Sequence, residues 1–197
     1  MVRAVLSGTD ADRVVFSVVF VCTGNRARSA LAEALLRAKV DADTVRVESY
    51  GTLDLGPEPA TLEAIAVASK LGIDIRGHRA RSLPGHRLDA ADLVVGFELF
   101  HVATAVVEAG ASWERAFLIR ELAGLLAEAV PATGLAEPDP RATVAAAHAR
   151  RSARPRSSLS IPDPFGKSRK VYAEIAGTID SLTTTLATTL FESSNQN

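Results

Sequence analysis

The 197-residue chain carries 22 Lys and Arg against 23 Asp and Glu, a formal net charge of −1, and is 47% hydrophobic and 23% charged. That length suits one domain around one core, and the even charge offers no global attraction to nucleic acid or to an acidic membrane surface. A single cysteine excludes an internal disulfide and any cysteine-based zinc cluster.

Residues 1–12 are short, mixed and Gly-containing, and read as an N-terminal tail. Val14 to Val21 is β-branched and aromatic, as in a central strand covered on both faces. The run is too short for a bilayer span, which needs ~20 residues. Asp10 and Asp12 precede it and no small-residue cleavage site follows, so it does not read as a signal-peptide core. The expectation is a cytoplasmic protein. From Ser29 the period changes: Leu31, Ala34, Leu35 and Ala38 share one helical face, with Glu33 and Arg37 as an i,i+4 pair outside it. Val45 to Ser49 reads as a second strand that ends at Gly51. A helix through Leu62, Ile65 and Ala66 has Pro59 near its start and Gly72 as its stop.

Asp92 to Gly96 reads as a third strand, followed by a helical stripe of Leu99, Val102, Ala103 and Val106 that Gly110 ends. Ala116 to Ile119 is a fourth strand, with a helix over Arg120 to Val130 behind it. The last helix runs on Val171, Ile175, Ile179, Leu182 and Leu186. Strand and helix alternate four times, which predicts one α/β domain over residues 13–193, a four-stranded parallel sheet with helices on both faces. Within it, residues 131–160 form an insertion rich in Ala, Pro and Arg. Arg141, Arg150, Arg151, Arg154 and Arg156 lie there with no acidic residue from Arg141 to Ser160. Ala142 to Ala149 suits one surface helix, and the arginines suit a solvated face better than a dock for an acidic partner.

Ligands of such folds bind beyond the carboxyl ends of the strands, and there the chain places Cys22-Thr-Gly-Asn-Arg-Ala-Arg-Ser29. A turn over Thr23 to Arg28 followed by a helix from Ser29 makes backbone N–H groups converge on one point. The helix N-terminus adds positive potential there. That nest suits a tetrahedral oxyanion such as phosphate, and it favours a sulfur anion at its base. Thr23, Gly24, Asn25, Arg26 and Ala27 are the five residues between Cys22 and Arg28. Such a loop circles a phosphate and returns a guanidinium that holds two of its oxygens. Gly24 permits close backbone approach, Asn25 tolerates a left-handed conformation, and Ser29 is placed to donate to the sulfur.

These residues resemble the low-molecular-weight protein tyrosine phosphatases, whose signature reads roughly V-C-x-G-N-x-x-R-S. Glu48-Ser-Tyr-Gly-Thr52 is similar to that family's Ser-x-Gly-Thr strand end, and Gly77-His-Arg-Ala-Arg81 to its G-H-x-A-R segment. Asp92-Leu-Val-Val95 followed by His101 resembles its third strand and helix start. The resemblance implies a three-layer, flavodoxin-like architecture. It also implies a brace in which Ser29, Ser49 and His78 tie down Asn25, with no metal or other cofactor. Its implied partners are phosphate ion and a phosphotyrosine-containing protein, among bacterial relatives often a tyrosine kinase of polysaccharide export.

A thiolate that attacks a phosphate monoester needs a carboxylic acid to protonate the leaving oxygen. Asp139-Pro140 and Asp163-Pro164 both offer one, each stiffened by its proline. Asp163, in Ile161-Pro-Asp-Pro-Phe-Gly166, resembles the family's D-P-[YF]-x-G acid loop, which leaves Asp139 as a plain turn. Phe165 either walls the entrance against a flat leaving group or anchors the loop to the body. Gly166 stands where many relatives carry a second aromatic. Ala27 stands where relatives often hold a second cysteine, so oxidation of Cys22 has no neighbouring thiol to arrest it. Ala30 replaces a common proline. Arg76, His78, Arg79, Arg81, His86 and Arg87 read either as an anion-attracting rim or as an ordinary loop, with Asp74 and Asp89 flanking them. The competing activity is arsenate reduction, since arsenate shares phosphate's shape. With one cysteine it would need an external small thiol to resolve it.

Overall fold

The computed structural model describes residues 15–128, 139–152 and 157–191. The expected tail, the start of the insertion at 131–138, and Arg154 and Arg156 lie outside the described residues. Four strands, β1 (Phe16–Cys22), β2 (Val45–Gly51), β3 (Leu93–Gly96) and β4 (Ala116–Leu118), form one parallel sheet in the order β2-β1-β3-β4. The intervening helices are α1 (Arg28–Arg37), α2 (Leu62–Lys70), α3 (Leu99–Val107), α4 (Ile119–Ala127), α5 (Pro140–Ala149) and α6 (Arg169–Phe191).

The sheet explains why β1 reads as unbroken apolar sequence. Its alternate side chains enter two separate cores: Val18, Phe20 and Cys22 on one face, Val19 and Val21 on the other. The larger core is closed by α1, α2, α4 and α6, with the long α6 packed against the other three. The smaller core is covered by α3 together with Leu83, Leu88 and Ala91 from irregular chain. Gly72 and Gly110, each just past a helix, adopt φ of 77° and 74°, the left-handed step that terminates α2 and α3.

Two sequence expectations change. The segment after Asp139 is not wholly solvated, because Val144 and Ala147 of α5 belong to the larger core. Arg151 lies 4.5 Å from the ring centre of Trp113 and 3.8 Å from that of Phe117, with Glu121 at 3.2 Å. A flat guanidinium packs on aromatic faces where a lysine would not. Arg141 is likewise fixed, in a forked pair with Asp92 at 2.8 Å on both oxygens. The second change concerns Glu33, which does pair with Arg37 at 3.0 Å but is buried rather than outside the helix's apolar face.

Gly51, the last residue of β2, runs directly beside the β1–α1 loop. A Cβ there would meet the Gly24 carbonyl carbon and Thr23 oxygen at 2.9 Å and the Asn25 nitrogen at 3.0 Å. All three are backbone atoms, so nothing can swing aside. Gly51→Ala should therefore cost about 1–3 kcal/mol by overpacking. Chemical denaturation reads this directly, and a midpoint equal to that of the parent chain would show that the loop yields.

Candidate active site

Cys22 ends β1, Thr23 to Ala27 form the loop, and Arg28 opens α1. Asn25 is the one non-glycine among the described residues with positive φ, at 52°. Asparagine accepts that conformation more readily than most residues, and its buried side chain is fully bonded. Its Nδ2 donates to Ser29 Oγ at 2.8 Å and to Ser49 Oγ at 2.7 Å, and its Oδ1 accepts from the Arg81 amide at 2.8 Å. Its carbonyl accepts from His78 Nε2 at 2.6 Å. That contact fixes the proton of His78 on Nε2, while burial pushes the ring's pKa down.

The Asn25 amide donates to Cys22 Sγ at 3.3 Å, and Ser29 Oγ lies 2.9 Å from the same sulfur. Because Ser29 already accepts from Asn25, its own hydrogen is free for the sulfur. Ser49 in turn donates to Glu33, whose carboxylate also takes Arg81 and Arg37 at 3.0 Å each. Glu33 thus ends the chain of bonds that begins at the loop. Two guanidiniums offset the cost of burying its charge.

Arg28 is 1% exposed. Its Nη1 donates to Glu98 and to the Ile161 carbonyl at 2.9 Å. Its Nη2 donates to Asp163 at 2.6 Å and to Thr23 Oγ1 at 3.2 Å. Its Nε is buried with no partner among the described residues. The Ile161 amide donates to the Phe97 carbonyl at 2.7 Å, so the Asp163 loop is pinned to the corner between β3 and α3. Asp163 Oδ1 accepts from the Phe165 amide at 3.1 Å, and Phe165 itself is 67% exposed, which argues against an anchoring role. Asp139 is elsewhere. It caps the N-terminus of α5 by accepting from the Arg141 amide at 2.9 Å, and Arg141 reaches Asp92 at the amino ends of the strands.

Around the loop, Arg26 Nε donates to the Pro59 carbonyl at 2.8 Å and Leu55 packs beside Gly24. The neighbouring basic residues are largely paired, Arg76 with Asp74 at 2.7 Å and Arg87 with Asp89 at 3.2 Å. That favours an ordinary rim over an anion-attracting patch.

Sequence reasoning missed Glu98 and gave His101 no role. Both sit at the carboxyl end of β3, which borders β1, and a carboxylate at that sheet position was the available signal. The Glu98 amide donates to His101 Nδ1 at 3.0 Å, which places the ring proton on Nε2, directed at Thr23 Oγ1 at 3.0 Å. Burial and then the charge of Arg28 push the pKa of His101 down to about 3, against an opposing pull from Asp163.

An unfolded His101 takes up its proton near its ordinary value of 6.5, the folded one only near 3. Its contribution to stability is therefore complete above pH 6.5 and is lost progressively as pH falls from 6.5 towards 3. Between pH 6.5 and 5 the loss should reach about 2 kcal/mol, with His78 adding in the same direction. Urea unfolding at both pH values checks this, and equal stabilities would mean that His101 charges in place.

Residues 17–138 match the family described as Low molecular weight phosphotyrosine protein phosphatase, a match that ends before Asp163. The chain is 37% identical over 87 residues to the low molecular weight protein-tyrosine-phosphatase Etp of Escherichia coli K12, covering 44% of this chain and 57% of that one. It is 35% identical over 79 residues to arsenate reductase 2 of Staphylococcus haemolyticus, covering 40% of this chain and 57% of that one. The chain thus spans little more than half the length of these curated relatives. In structure it is similar to a low molecular weight protein tyrosine phosphatase from T. tengcongensis, with a TM-score of 0.64 at 29% identity, over 87% of this chain and 97% of that one. With the family's description matched across more than half its length, the chain belongs to the low molecular weight phosphotyrosine protein phosphatase family.

Proposed function

We propose that the protein hydrolyses phosphotyrosine, and small aryl phosphates, through a phosphocysteine intermediate. The observation that carries this reading is the buried Arg28 guanidinium beside the Cys22 loop, with its Nε unpaired among the described residues. Nε and Nη2 lie along one edge of the group, which suits two oxygens of a phosphoryl group once the Asp163 carboxylate gives up its bond from Nη2.

In the first step the Cys22 sulfur anion attacks phosphorus in line with the ester oxygen. The S–P bond forms, the P–O bond breaks, and Asp163 gives its proton to the departing phenolate. Loop amides and Arg28 stabilise the charge on the equatorial oxygens. In the second step water attacks phosphorus, Asp163 takes a proton from it, and the S–P bond breaks to release phosphate. The Ser29 hydroxyl stabilises the sulfur as it leaves. The position of Asp163 supports it for the acid role: it lies at the guanidinium that would hold the phosphoryl group and remains partly open to solvent. The exposed Phe165 offers a flat face to an aromatic leaving group.

The physiological substrate in this reading is a tyrosine-phosphorylated protein, and a bacterial tyrosine kinase of polysaccharide export is the specific candidate. The reading puts the protein in the cytoplasm, where a single catalytic thiol stays reduced. Among the described residues no helix is long and apolar enough to cross a membrane. Arsenate reduction remains the second activity to test, since a relative bears that name. The carboxylate of Asp163 on Arg28 favours ester hydrolysis, because thiol reduction of arsenate does not require a proton donor for an alcohol.

Turnover of a phosphotyrosine peptide and of p-nitrophenyl phosphate should be abolished by Cys22→Ser. On the peptide, Asp163→Ala should slow turnover by about 10²–10⁴-fold. Asp139→Ala should leave turnover near that of the parent while costing ~1 kcal/mol of stability as a lost helix cap. Arsenate reduced with a small thiol, and no phosphate released from either ester, would replace this reading with the second one.

A further inference from the structure

The geometry points to the Thr23 hydroxyl as a further donor to the bound anion, aimed by His101. This rests on the phosphate-site reading of the Cys22 loop and extends it to a side chain in which only backbone had been implicated.

The Glu98 backbone N–H can only donate, so His101 Nδ1, 3.0 Å away, must be the unprotonated nitrogen. A neutral ring then carries its proton on Nε2 and donates it to Thr23 Oγ1 at 3.0 Å. Arg28 Nη2 also can only donate, and it reaches the same oxygen at 3.2 Å. Thr23 Oγ1 therefore accepts twice, which fills both lone pairs and leaves the hydroxyl hydrogen as the remaining bond the group can make. No acceptor for that hydrogen occurs among the described residues.

The four groups close a ring: Glu98 amide to His101, His101 to Thr23, Arg28 to Thr23, and Arg28 to Glu98. Within it the Thr23 oxygen adjoins Nη2, one of the two nitrogens on the guanidinium edge assigned to phosphoryl oxygens. An anion held on that edge comes within reach of the Thr23 hydroxyl, whose hydrogen has been directed away from both neighbours. His101 is a positioning residue in this arrangement. It does not touch the anion, and a charged ring, which would lose its bond from the Glu98 amide, would disrupt it.

Thr23→Val removes the hydroxyl at nearly constant shape, and Thr23→Ser restores it. Calorimetric titration with inorganic phosphate should show Thr23→Val binding about tenfold more weakly, as for one lost hydrogen bond to a charged group. Thr23→Ser should lie within about twofold of the parent chain. kcat/KM on p-nitrophenyl phosphate should follow the same order. Asparagine at position 101 can still cap α3 but is too short to reach Thr23. His101→Asn should therefore weaken phosphate binding about threefold in the parent background and not at all in the Thr23→Val background, the non-additivity expected of coupled groups. Parent-like phosphate affinity in Thr23→Val, or effects of the two substitutions that multiply, would overturn the assignment. Phosphate binding is read without turnover. Loss of affinity in Thr23→Val alongside a parent chain that hydrolyses no ester would therefore refute the enzymatic reading and leave this one standing.

Discussion

A guanidinium sealed from solvent governs how this molecule is assembled. Arg28 brings a full positive charge to the base of a loop at 1% exposure, and such a charge is tolerated only when its donors are met by well-placed acceptors. The chain supplies them from three directions: Thr23 from the loop, Glu98 from the corner after β3, and Ile161 with Asp163 from the segment before α6. None of these segments neighbours another in sequence except through Arg28's own loop. The arginine is thus both the candidate anion ligand and the hub that fixes the elements around it. It gathers negative charge to one side of itself and leaves Nε unmatched on another.

The opposite flank of the loop is held by different chemistry. Asn25 takes a backbone conformation that favours few residues, and its side chain is bonded at every polar atom. The strain is small, and the bonds that offset it lead through Ser49 to the buried Glu33 and on to Arg81 and Arg37. Gly51 completes this flank by what it lacks, since any side chain there would strike the loop backbone. One flank fixes the direction of the amides, the other the direction of the cation. Both must hold for the two sets of donors to share a focus, and sub-ångström placement matters for electrostatic catalysis.

What the sequence disclosed divides along the same lines. The strands and helices announced themselves through period and composition because β1 is buried on both faces and the helices are not. Cys22 to Ser29 was legible because a loop that wraps one anion is contiguous, so its chemistry survives as a string. Ser49 and His78 were named through the family resemblance, not through any local signal. Glu98 and Glu33 escaped, Glu98 despite its place just after β3. A glutamate at a helix start or on a helix face looks solvated until the fold shows which arginine lies beneath it. Arg151 misled for the converse reason: a run of arginines reads as surface, and only the stacked rings of Trp113 and Phe117 make a buried place for one of them.

The strand order accounts for why two flanks exist at all. After β1 the chain moves to one side to lay down β2, then crosses back over β1 to lay down β3 on the other. The carboxyl end of β1 is therefore bordered by the ends of two strands whose connections leave in opposite directions, and a crevice opens where they part. Into it β2 delivers Ser49 and Gly51, while the turn after β3 delivers Glu98 and the first turn of α3 delivers His101. Asp139 lies at the far end of the strands, beside Asp92 and Arg141, where no such parting occurs. Two Asp-Pro pairs that look alike as sequence are thus separated by the sheet itself. Only Asp163 is carried back to the crevice, because the Ile161 amide binds the Phe97 carbonyl just after β3.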